Sequence, residues 1–373
     1  MKLSDDTINM LALWMIPGIG PRRIMRLMNH FENPEEIFSA SPKHLSEILG
    51  IGIDKTQLIP AALNSRQLRN ELNLLEKFDL NVVSFKQPEY PILLKEIYNA
   101  PPILFIKGKI DFNSGLPIAF VGSRKASFAG KNLCEKIIKR LSEINSNIVI
   151  VSGLALGIDS IAHQAALENG LKTISVLAGG LSNIYPARNK NLAERVSKNG
   201  ALVTEFPTKV QPSANNFPLR NRIISGLSQG IVVVEAGERS GASITAGYAL
   251  EHNRELFAFP GQADSPFYRG TNRMIQKGQA KLILEAEDIL EELLTDIQLS
   301  IDESPKTKSS LPPDLSGEEQ KVLDFLQQGR LHQNTLSLKT GLPIQRILPT
   351  LTSLELKGLI VSKPGSVFEI IER

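Results

Sequence analysis

Short runs of apolar residues alternate with stretches of helical spacing between about residues 80 and 290. Each run is rich in β-branched residues and is followed by a turn. Unbroken apolar runs are typical of strands that are buried on both faces. The pattern therefore predicts, over 76–295, an α/β domain whose doubly wound, mainly parallel sheet has helices on both sides and binds ligands at the carboxyl ends of its strands. The six predicted strands lie at 116–122, 148–153, 173–180, 201–205, 231–236 and 255–261.

The preceding residues, 5 to 75, show apolar positions at helical spacing with short Gly and Pro breaks, which predicts an all-helical domain over 1–75. A Gly-Ile-Gly turn occurs twice there, at 18–20 and at 50–52. The repeat resembles a tandem helix-hairpin-helix (SAM-like) domain, in which backbone amides at a helix N-terminus approach a DNA phosphate. Two ordinary helix–helix turns would give the same pattern, and this alternative stays open.

After the sheet domain, a segment rich in Ser, Pro and Lys has no periodicity, and we interpret 296–316 as a flexible linker. Three helical patterns and two short apolar runs follow within 317–373, with a turn between the runs at 364–365. This order of elements resembles a winged helix. The third helical pattern contains Pro349 and few basic residues, so reading of duplex DNA is not expected there and a protein-binding role is the alternative.

The overall composition is that of an ordinary globular protein, with 42% hydrophobic residues and 27 glycines in 373 residues. A net charge of +3 is too small to indicate a nucleic-acid binder by bulk charge alone. The single cysteine, Cys134, excludes an intrachain disulfide and fits a reducing compartment. Asp5 and Asp6 interrupt the start, where a signal peptide would be apolar, and no apolar run approaches the ~20 residues of a membrane span. We expect a cytoplasmic protein without membrane contact.

Positive charge is concentrated in loops that follow predicted strands, and the first of these loops contains Gly122, Ser123, Arg124 and Lys125. The two cations stand at a predicted helix start, where they oppose the helix dipole by a few tenths to ~1 kcal/mol. A bound anion would reverse this cost, and the amides of the two small residues would complete a phosphate site. A solvated surface pair is the alternative.

Two further basic segments also lie between a predicted strand and a predicted helix. Pro218 is suited to open a helix whose first turn holds Arg220 and Arg222. These arginines are two residues apart and point to different faces, which leaves open that one of them is structural. The run 185–190 also leads from a strand into a helix and includes Arg188 and Lys190.

Signatures of enzymes fail when their structural context is considered. The run 122–131 has seven residues between its glycines, where a phosphate-binding Walker loop has four. The Gly-x-Ser-x-Gly run at 226–230 has the predicted helix before it and the strand after it, the reverse of a nucleophile elbow. The five histidines show no metal spacing, and no dinucleotide fingerprint is present. We expect no catalytic residue, cofactor or metal, and no turnover.

Three polar residues have structural interpretations that we favour over catalytic ones. Asp159 is expected to cap the helix that follows it. His163, one turn later, has no other candidate ligand near it in sequence and is expected to be a buried structural residue. Glu235 ends an apolar strand, and we expect its carboxylate to accept amide hydrogens from the turn at 240–242.

Several motifs in one order are similar to those of the DprA/Smf (DNA-processing protein A) family. They cover about 110–285 and imply an extended Rossmann-like fold without nucleotide chemistry. The helical and winged-helix flanks match the family more loosely. The matching motifs are Gly-Ser-Arg at 122–124, SGLALGIDSIAHQAAL at 152–167, Gly-Gly and Tyr-Pro-x-x-Asn at 179–189, FPLRNRIISGLS at 217–228, VVEAGERSGASITA at 233–246 and FPGQADSPFYRGTN at 259–272.

The resemblance implies a single-stranded DNA-binding homodimer that protects incoming strands during natural transformation and helps to load the RecA recombinase on them, with single-strand-binding protein as a further partner. Which of the two arginines of the second basic loop faces DNA stays open. The candidate DNA-binding residues are Gly122, Ser123, Arg124, Lys125, Asn189, Lys190, Arg220, Asn221 and Arg222.

A protein that binds single-stranded nucleic acid without sequence preference can gain ~1–3 kcal/mol of binding free energy for each base that stacks on an aromatic ring. Phe128, Tyr185 and Phe217 lie beside the basic loops, but the low aromatic content of 6% favours core positions for them. One alternative function is a nucleotide N-glycosidase on a related fold, whose Pro-Gly-Gly-x-Gly-Thr-x-x-Glu signature is absent from the sequence. A purely structural assembly protein is another.

Overall fold

The computed structural model describes residues 3–31, 33–238, 240–301, 315–327, 329, 331–357, 359–363 and 367–370. The chain divides into two compact units, Met1–Ile301 and Asp302–Arg373. None of the helices within these described ranges is long and apolar enough to span a membrane.

The first unit begins with short helices, several of which start at a serine N-cap. The side chains of Ser4, Ser41 and Ser65 each accept an amide hydrogen three residues further on, which fixes three of the helix starts. The two Gly-Ile-Gly turns directly precede α2 and α5, and the last helix extends past the predicted boundary at residue 75. The helices are α1 (Asp5–Trp14), α2 (Pro21–His30), α3 (Pro34–Ser39), α4 (Pro42–Leu49), α5 (Ile53–Thr56) and α6 (Arg66–Phe78).

Strands and helices then alternate, as the sequence predicts. Every predicted strand is present, and three further strands, β1, β2 and β9, were missed. The elements are β1 (Asn81–Ser84), α7 (Ile92–Lys95), β2 (Ile103–Gly108), β3 (Leu116–Val121), α8 (Phe128–Ile144), β4 (Ile148–Ser152), α9 (Ile158–Glu168), β5 (Lys172–Val176), α10 (Lys190–Asn199), β6 (Ala201–Thr204), α11 (Asn216–Gly226), β7 (Gly230–Val233), α12 (Gly241–Glu251), β8 (Glu255–Ala258), α13 (Arg269–Gln276), β9 (Lys281–Leu282) and α14 (Ala286–Ile301).

The described strands of this unit form one nine-stranded sheet in the order β1-β2-β6-β5-β4-β3-β7-β8-β9. Each pair of neighbouring strands in the part β6-β5-β4-β3-β7-β8-β9 is parallel. Strand β2 pairs antiparallel with both β1 and β6. The chain leaves β3 in one direction and returns on its other side at β7, which makes this position the topological switch point of a doubly wound sheet. The predicted fold class is confirmed.

The two faces of the sheet are covered by separate apolar cores. On β3, Ile118 and Phe120 belong to the core that also contains Ile137 of α8, whereas Ala119 and Val121 belong to the core on the opposite face. Because successive side chains of a strand point to opposite faces, a strand buried on both sides needs the unbroken apolar run seen in the sequence.

The helix starts near the basic loops differ from the prediction. Helix α8 begins at Phe128 with Ser127 as its cap, so Arg124 and Lys125 lie in the loop before the helix and not in its first turn. Helix α11 begins at Asn216, two residues before Pro218, so its arginines lie in the second turn. The helix-dipole argument for these cations is therefore wrong, because the dipole acts only within the terminal turn.

Within its described residues, the second unit has three helices and a small sheet around its own apolar core, which includes Leu323, Leu336 and Leu354. The predicted linker 296–316 is only partly described: α14 continues to Ile301, and residues 302–314, like the predicted turn at 364–365, lie outside the described residues. The elements are α15 (Gly317–Leu326), β10 (Leu331–His332), α16 (Gln333–Thr340), α17 (Ile344–Leu356), β11 (Ile360–Lys363) and β12 (Val367–Ile370), and the sheet order is β10-β12-β11.

Candidate nucleic-acid interface

A groove of about 720 Å³ lies at the carboxyl ends of the parallel strands, at the switch point between β3 and β7. This is the edge at which the sheet pattern predicted ligand binding. The loops after β3 and β4 and the starts of α11 and α12 contribute to its walls. The lining residues include Val121, Gly122, Ser123, Arg124, Ala155, Asp159, Tyr185, Pro212, Ser213, Phe217, Arg220, Asn221, Ser240 and Gly241.

The loop after β3 is held in place by close backbone contacts. Ile158 donates its amide hydrogen to the carbonyl oxygen of Ser123 over 3.1 Å. Gly157 has a φ of +81°, and a Cβ at this position would collide with the same carbonyl oxygen. The hydroxyl of Ser123 accepts the amide hydrogen of Lys125 at 3.1 Å. The loop therefore presents Arg124 and Lys125 as exposed side chains on a fixed backbone.

Glu235 ties the end of β7 to the start of α8. Its fully buried carboxylate accepts hydrogen bonds from the backbone amide of Ser127 at 3.0 Å and from the Ser127 hydroxyl. The absent side chain of Gly130 leaves room for this carboxylate. Burial, together with this carboxylate, raises the pKa of the Tyr268 hydroxyl. The expected bonds from the turn at 240–242 were wrong, because the carboxylate is occupied by a different helix terminus.

Arg220 lies beneath the groove and is almost fully buried. Its guanidinium donates to the carbonyl oxygens of Gly153, at 2.5 Å, and Val176, at 2.7 Å. A Cβ at Gly153 would collide with this guanidinium, so the glycine is required by the arginine. Burial lowers the pKa of Arg220 to about 10, and the side chain stays charged at neutral pH.

Asp159 lies on the groove wall at the second position of α9, where Gly157 and not the aspartate is the cap residue. Its carboxylate accepts the amide hydrogen of Ala155 at 3.4 Å. Burial raises the pKa of this carboxyl, and the charge of Arg220 opposes the effect. The capping role predicted for Asp159 is corrected to an acid beside a buried arginine.

His163 is buried in the same helix, in agreement with its predicted structural role. Its Nδ1 atom lies 2.7 Å from the hydroxyl oxygen of Thr173, which in turn donates to the carbonyl oxygen of Ile150. No group of three or more His, Cys, Asp or Glu side chains within the described ranges is arranged to hold a metal ion.

The nine candidate residues separate into three groups. Five of them line the groove: Gly122, Ser123, Arg124, Arg220 and Asn221. Lys125 and Lys190 are exposed but are not part of this lining.

Asn189 and Arg222 have internal partners instead. The buried Asn189 amide donates to the carbonyl oxygen of Leu154 at 2.8 Å. Arg222 forms a buried ion pair with Glu205 at 2.5 Å and donates to the carbonyl oxygen of Asn99. Of the two arginines of α11, the one that lines the groove is therefore Arg220.

Aromatic rings lie beside the basic residues. Tyr185 and Phe217 make an edge-to-face contact with ring centres 5.9 Å apart, and the Arg124 guanidinium lies 5.0 Å from the centre of the Phe217 ring. Tyr185 is 54% exposed and Phe128 is 80% exposed. Core positions were expected for these two rings, and that expectation was wrong: both are exposed on the surface.

One wall of the groove was missed by the sequence analysis. Pro212 and Ser213 belong to the segment between β6 and α11, which has no charge cluster or glycine motif of its own. Two contacts with the N-terminal helices hold this segment: Thr208 donates its amide hydrogen to Glu71 at 2.7 Å, and the Trp14 indole donates to the carbonyl oxygen of Glu205 at 2.7 Å. These partners are far apart in sequence, so no local pattern could reveal the wall.

Comparison with known families matches almost the whole chain. The model for DNA recombination-mediator protein A matches residues 81–294, that for the DprA winged helix domain matches 305–366, and that for a SAM-like helix-hairpin-helix tandem matches 10–64. Protein Smf of Synechocystis sp. is 33% identical over 96% of this chain and 97% of its own length. DNA processing protein DprA of Bacillus subtilis is 44% identical over 57% of this chain and 71% of its own length.

Solved structures show the same similarity. The X-ray structure of DNA processing protein A from Streptococcus pneumoniae is 34% identical, with a TM-score of 0.67 over 78% of this chain and 99% of that chain. A structure of DNA processing protein A from Helicobacter pylori, which concerns that protein's single-stranded DNA binding mode, is 27% identical, with a TM-score of 0.53 over 59% of this chain and 97% of that chain.

Proposed function

The chain belongs to the DNA recombination-mediator protein A family, and from this premise we propose that it binds single-stranded DNA in the switch-point groove without reading base sequence. The observation that supports this proposal most is that the exposed Arg124, on a rigid glycine-serine loop, lines the same groove as the exposed ring of Tyr185. Cations follow a phosphate backbone of any sequence, and aromatic faces stack on any base. The single-strand binding mode of the Helicobacter pylori relative is a second support.

In this proposal the residues of the groove have separate tasks. Arg124 and the amides of Gly122 and Ser123 contact phosphates directly, and Lys125 and Lys190 add charge at the rim. Arg220 acts from beneath as a fixed positive charge, because Nη1 of its guanidinium is held by the carbonyl oxygens of Gly153 and Val176. Asn189 and Arg222 hold the surrounding backbone and do not contact the strand.

We further propose that the protein acts as a cytoplasmic homodimer that protects incoming single strands during natural transformation and loads the RecA recombinase on them, with single-strand-binding protein as another partner. The support for this role is the recombination-mediator family itself. The four domains, 1–75, 76–295, 296–316 and 317–373, are part of the same proposal.

The binding proposal is tested with a labelled oligo-dT and fluorescence anisotropy over a series of salt concentrations. Arg124→Ala should weaken binding and reduce the slope of log K against log salt by about 0.7 to 1, because one phosphate contact is lost. Its melting temperature should not change, because the side chain is exposed. Lys172→Ala is the matched control, since this exposed lysine starts β5 and so lies at the amino ends of the parallel strands, away from the groove. An unchanged slope for Arg124→Ala, or duplex binding as tight as single-strand binding, would refute the assignment.

We also propose that the protein has no turnover of its own. Glu235, the candidate acid of an N-glycosidase, gives that alternative little support, because its carboxylate is fully buried and accepts hydrogen bonds from Ser127. Incubation with ATP, NAD and nucleoside monophosphates, with and without single-stranded DNA, tests this. Release of a base or phosphate that is lost in Glu235→Gln would favour the enzyme.

A further inference from the structure

A second aromatic–cation pair lies outside the groove, on the short segment after α7. Tyr98 is 77% exposed, and the guanidinium carbon of Arg22 lies 4.3 Å from the centre of its ring. An arginine that stacks on a tyrosine at this distance orders the ring and brings a positive charge to it. A large aromatic ring held in a defined position on the surface can act as a stacking platform.

The pair is held rigidly by Asn99. The side-chain oxygen of Asn99 accepts a hydrogen bond from Nε of Arg22 at 3.0 Å. The backbone oxygen of the same residue accepts a hydrogen bond from Arg222 at 2.5 Å, and Arg222 is fixed by its buried pair with Glu205. Tyr98 and Arg22 are therefore connected to helix α11 through a single residue.

Helix α11 also forms a wall of the groove, so the pair and the groove share one rigid element. Phe217 lines the groove near the start of α11, and Arg222 reaches Asn99 from five positions further along. Five residues of helix correspond to about 7.5 Å along the axis. Leu219, between these two positions, is 44% exposed and leaves an open surface there. The groove and the Tyr98–Arg22 pair are therefore joined through one helix, which makes α11 the expected path for a strand that leaves the groove toward Tyr98.

The charges around the pair also fit a polyanion. Glu96, which lies two residues before Tyr98, is paired with Arg254 at 3.0 Å. Lys95, the last residue of α7, lies 4.9 Å from the centre of the Phe85 ring and adds a positive charge at the start of this segment.

We propose that Tyr98 and Arg22 form a second nucleic-acid site, at which a base of the strand leaving the groove stacks on Tyr98 and a neighbouring phosphate meets Arg22. The inference rests on the proposed single-strand binding, and it extends the bound length beyond the groove. The ligand is single-stranded DNA of any sequence, because stacking and charge do not distinguish bases.

Oligo-dT of increasing length separates this site from the groove. For strands too short to leave the groove, Tyr98→Ala should bind like the parent protein, and for longer strands it should bind about five- to one-hundredfold more weakly. Tyr98→Phe, which keeps the ring, should restore the affinity. Equal affinities of Tyr98→Ala and the parent protein at every length would overturn the proposal, whereas a parent protein that binds no length would overturn the groove assignment itself.

A photocross-link provides a direct readout that a structural role would not affect. A single 5-iododeoxyuridine is moved along a long oligo-dT, and cross-linked peptides are identified by mass spectrometry. A cross-link at Tyr98 from one zone of positions is expected, and Arg22→Ala should weaken it. If the cross-links are confined to peptides of the groove, the second site is refuted.

Discussion

The hydrogen bonds around His163 determine which of its ring nitrogens carries the proton. The only hydroxyl proton of Thr173 is donated to the carbonyl oxygen of Ile150, so Thr173 must accept from Nδ1 of His163. Nε2 is then the unprotonated nitrogen, and it is buried without a hydrogen-bond partner. Protonation would place a charge and an unsatisfied N–H in an apolar site, which is why burial lowers the pKa of His163 to about 3.

This histidine should make the first unit sensitive to acid. Because the folded-state pKa is far below the usual 6.5, the unfolded chain binds a proton between pH 6.5 and 3 that the folded chain does not. The contribution of the neutral His163 to the free energy of unfolding is therefore fully present above pH 6.5. Below that pH it falls by up to about 1.4 kcal/mol per pH unit. Urea unfolding at pH 7 and pH 5 should show a smaller loss in His163→Leu than in the parent protein. Equal losses would contradict the assignment.

Arg124, Arg220 and Arg222 show what a sequence can and cannot reveal at this scale. The cluster of cations at the strand ends is visible in the sequence, and it correctly indicated the edge of the sheet where the groove lies. The division of the three into an exposed, a carbonyl-bound and an ion-paired arginine was not visible. It depends on partners such as Val176 and Glu205 that only the folded chain brings near.

At the scale of elements, the start of α8 shows how a cap and a buried acid support a loop. Ser127 accepts the amide hydrogen of Gly130 and donates both its own amide and hydroxyl hydrogens to Glu235. The loop with Arg124 is thus joined at its far end to β7.

Ser127→Ala should lower the free energy of unfolding by about 1–3 kcal/mol, since it removes the cap and leaves a buried carboxylate with one donor fewer. Ser127→Thr, which keeps the hydroxyl, should lose much less. Chemical denaturation of the three proteins, followed by circular dichroism, provides the comparison. Equal stabilities of the alanine and threonine variants would show that the hydroxyl is not important.

Two of the three missed strands, β1 and β9, differ from the revealed strands in how they are buried, whereas β2 has a buried apolar run of its own at 103–106 and was missed all the same. The six central strands are apolar on both faces, so their runs stand out. The edge strand β1 alternates half-buried and buried residues over four positions, and β9 has two exposed residues. Such short segments have too few residues for a period to be recognised.

At the scale of the whole molecule, all residues that line the groove and the Tyr98–Arg22 pair belong to the first compact unit. A protein that ends at Ile301 should therefore fold and bind oligo-dT within about threefold of the full chain, because a unit with its own core can be stable alone. Thermal unfolding and anisotropy of both proteins test this. Loss of most of the affinity on truncation would mean that the winged helix is part of the site.

The buried pair of Arg222 and Glu205 restricts how this sequence can change. Replacing either residue alone leaves the other charge buried without compensation, which typically costs 3–5 kcal/mol, a large share of the roughly 5–15 kcal/mol that stabilises a protein. Replacing both by apolar residues of similar volume costs far less. The two positions are 17 residues apart in the chain. The two positions should nevertheless change together, so functional variants should contain both charges or neither.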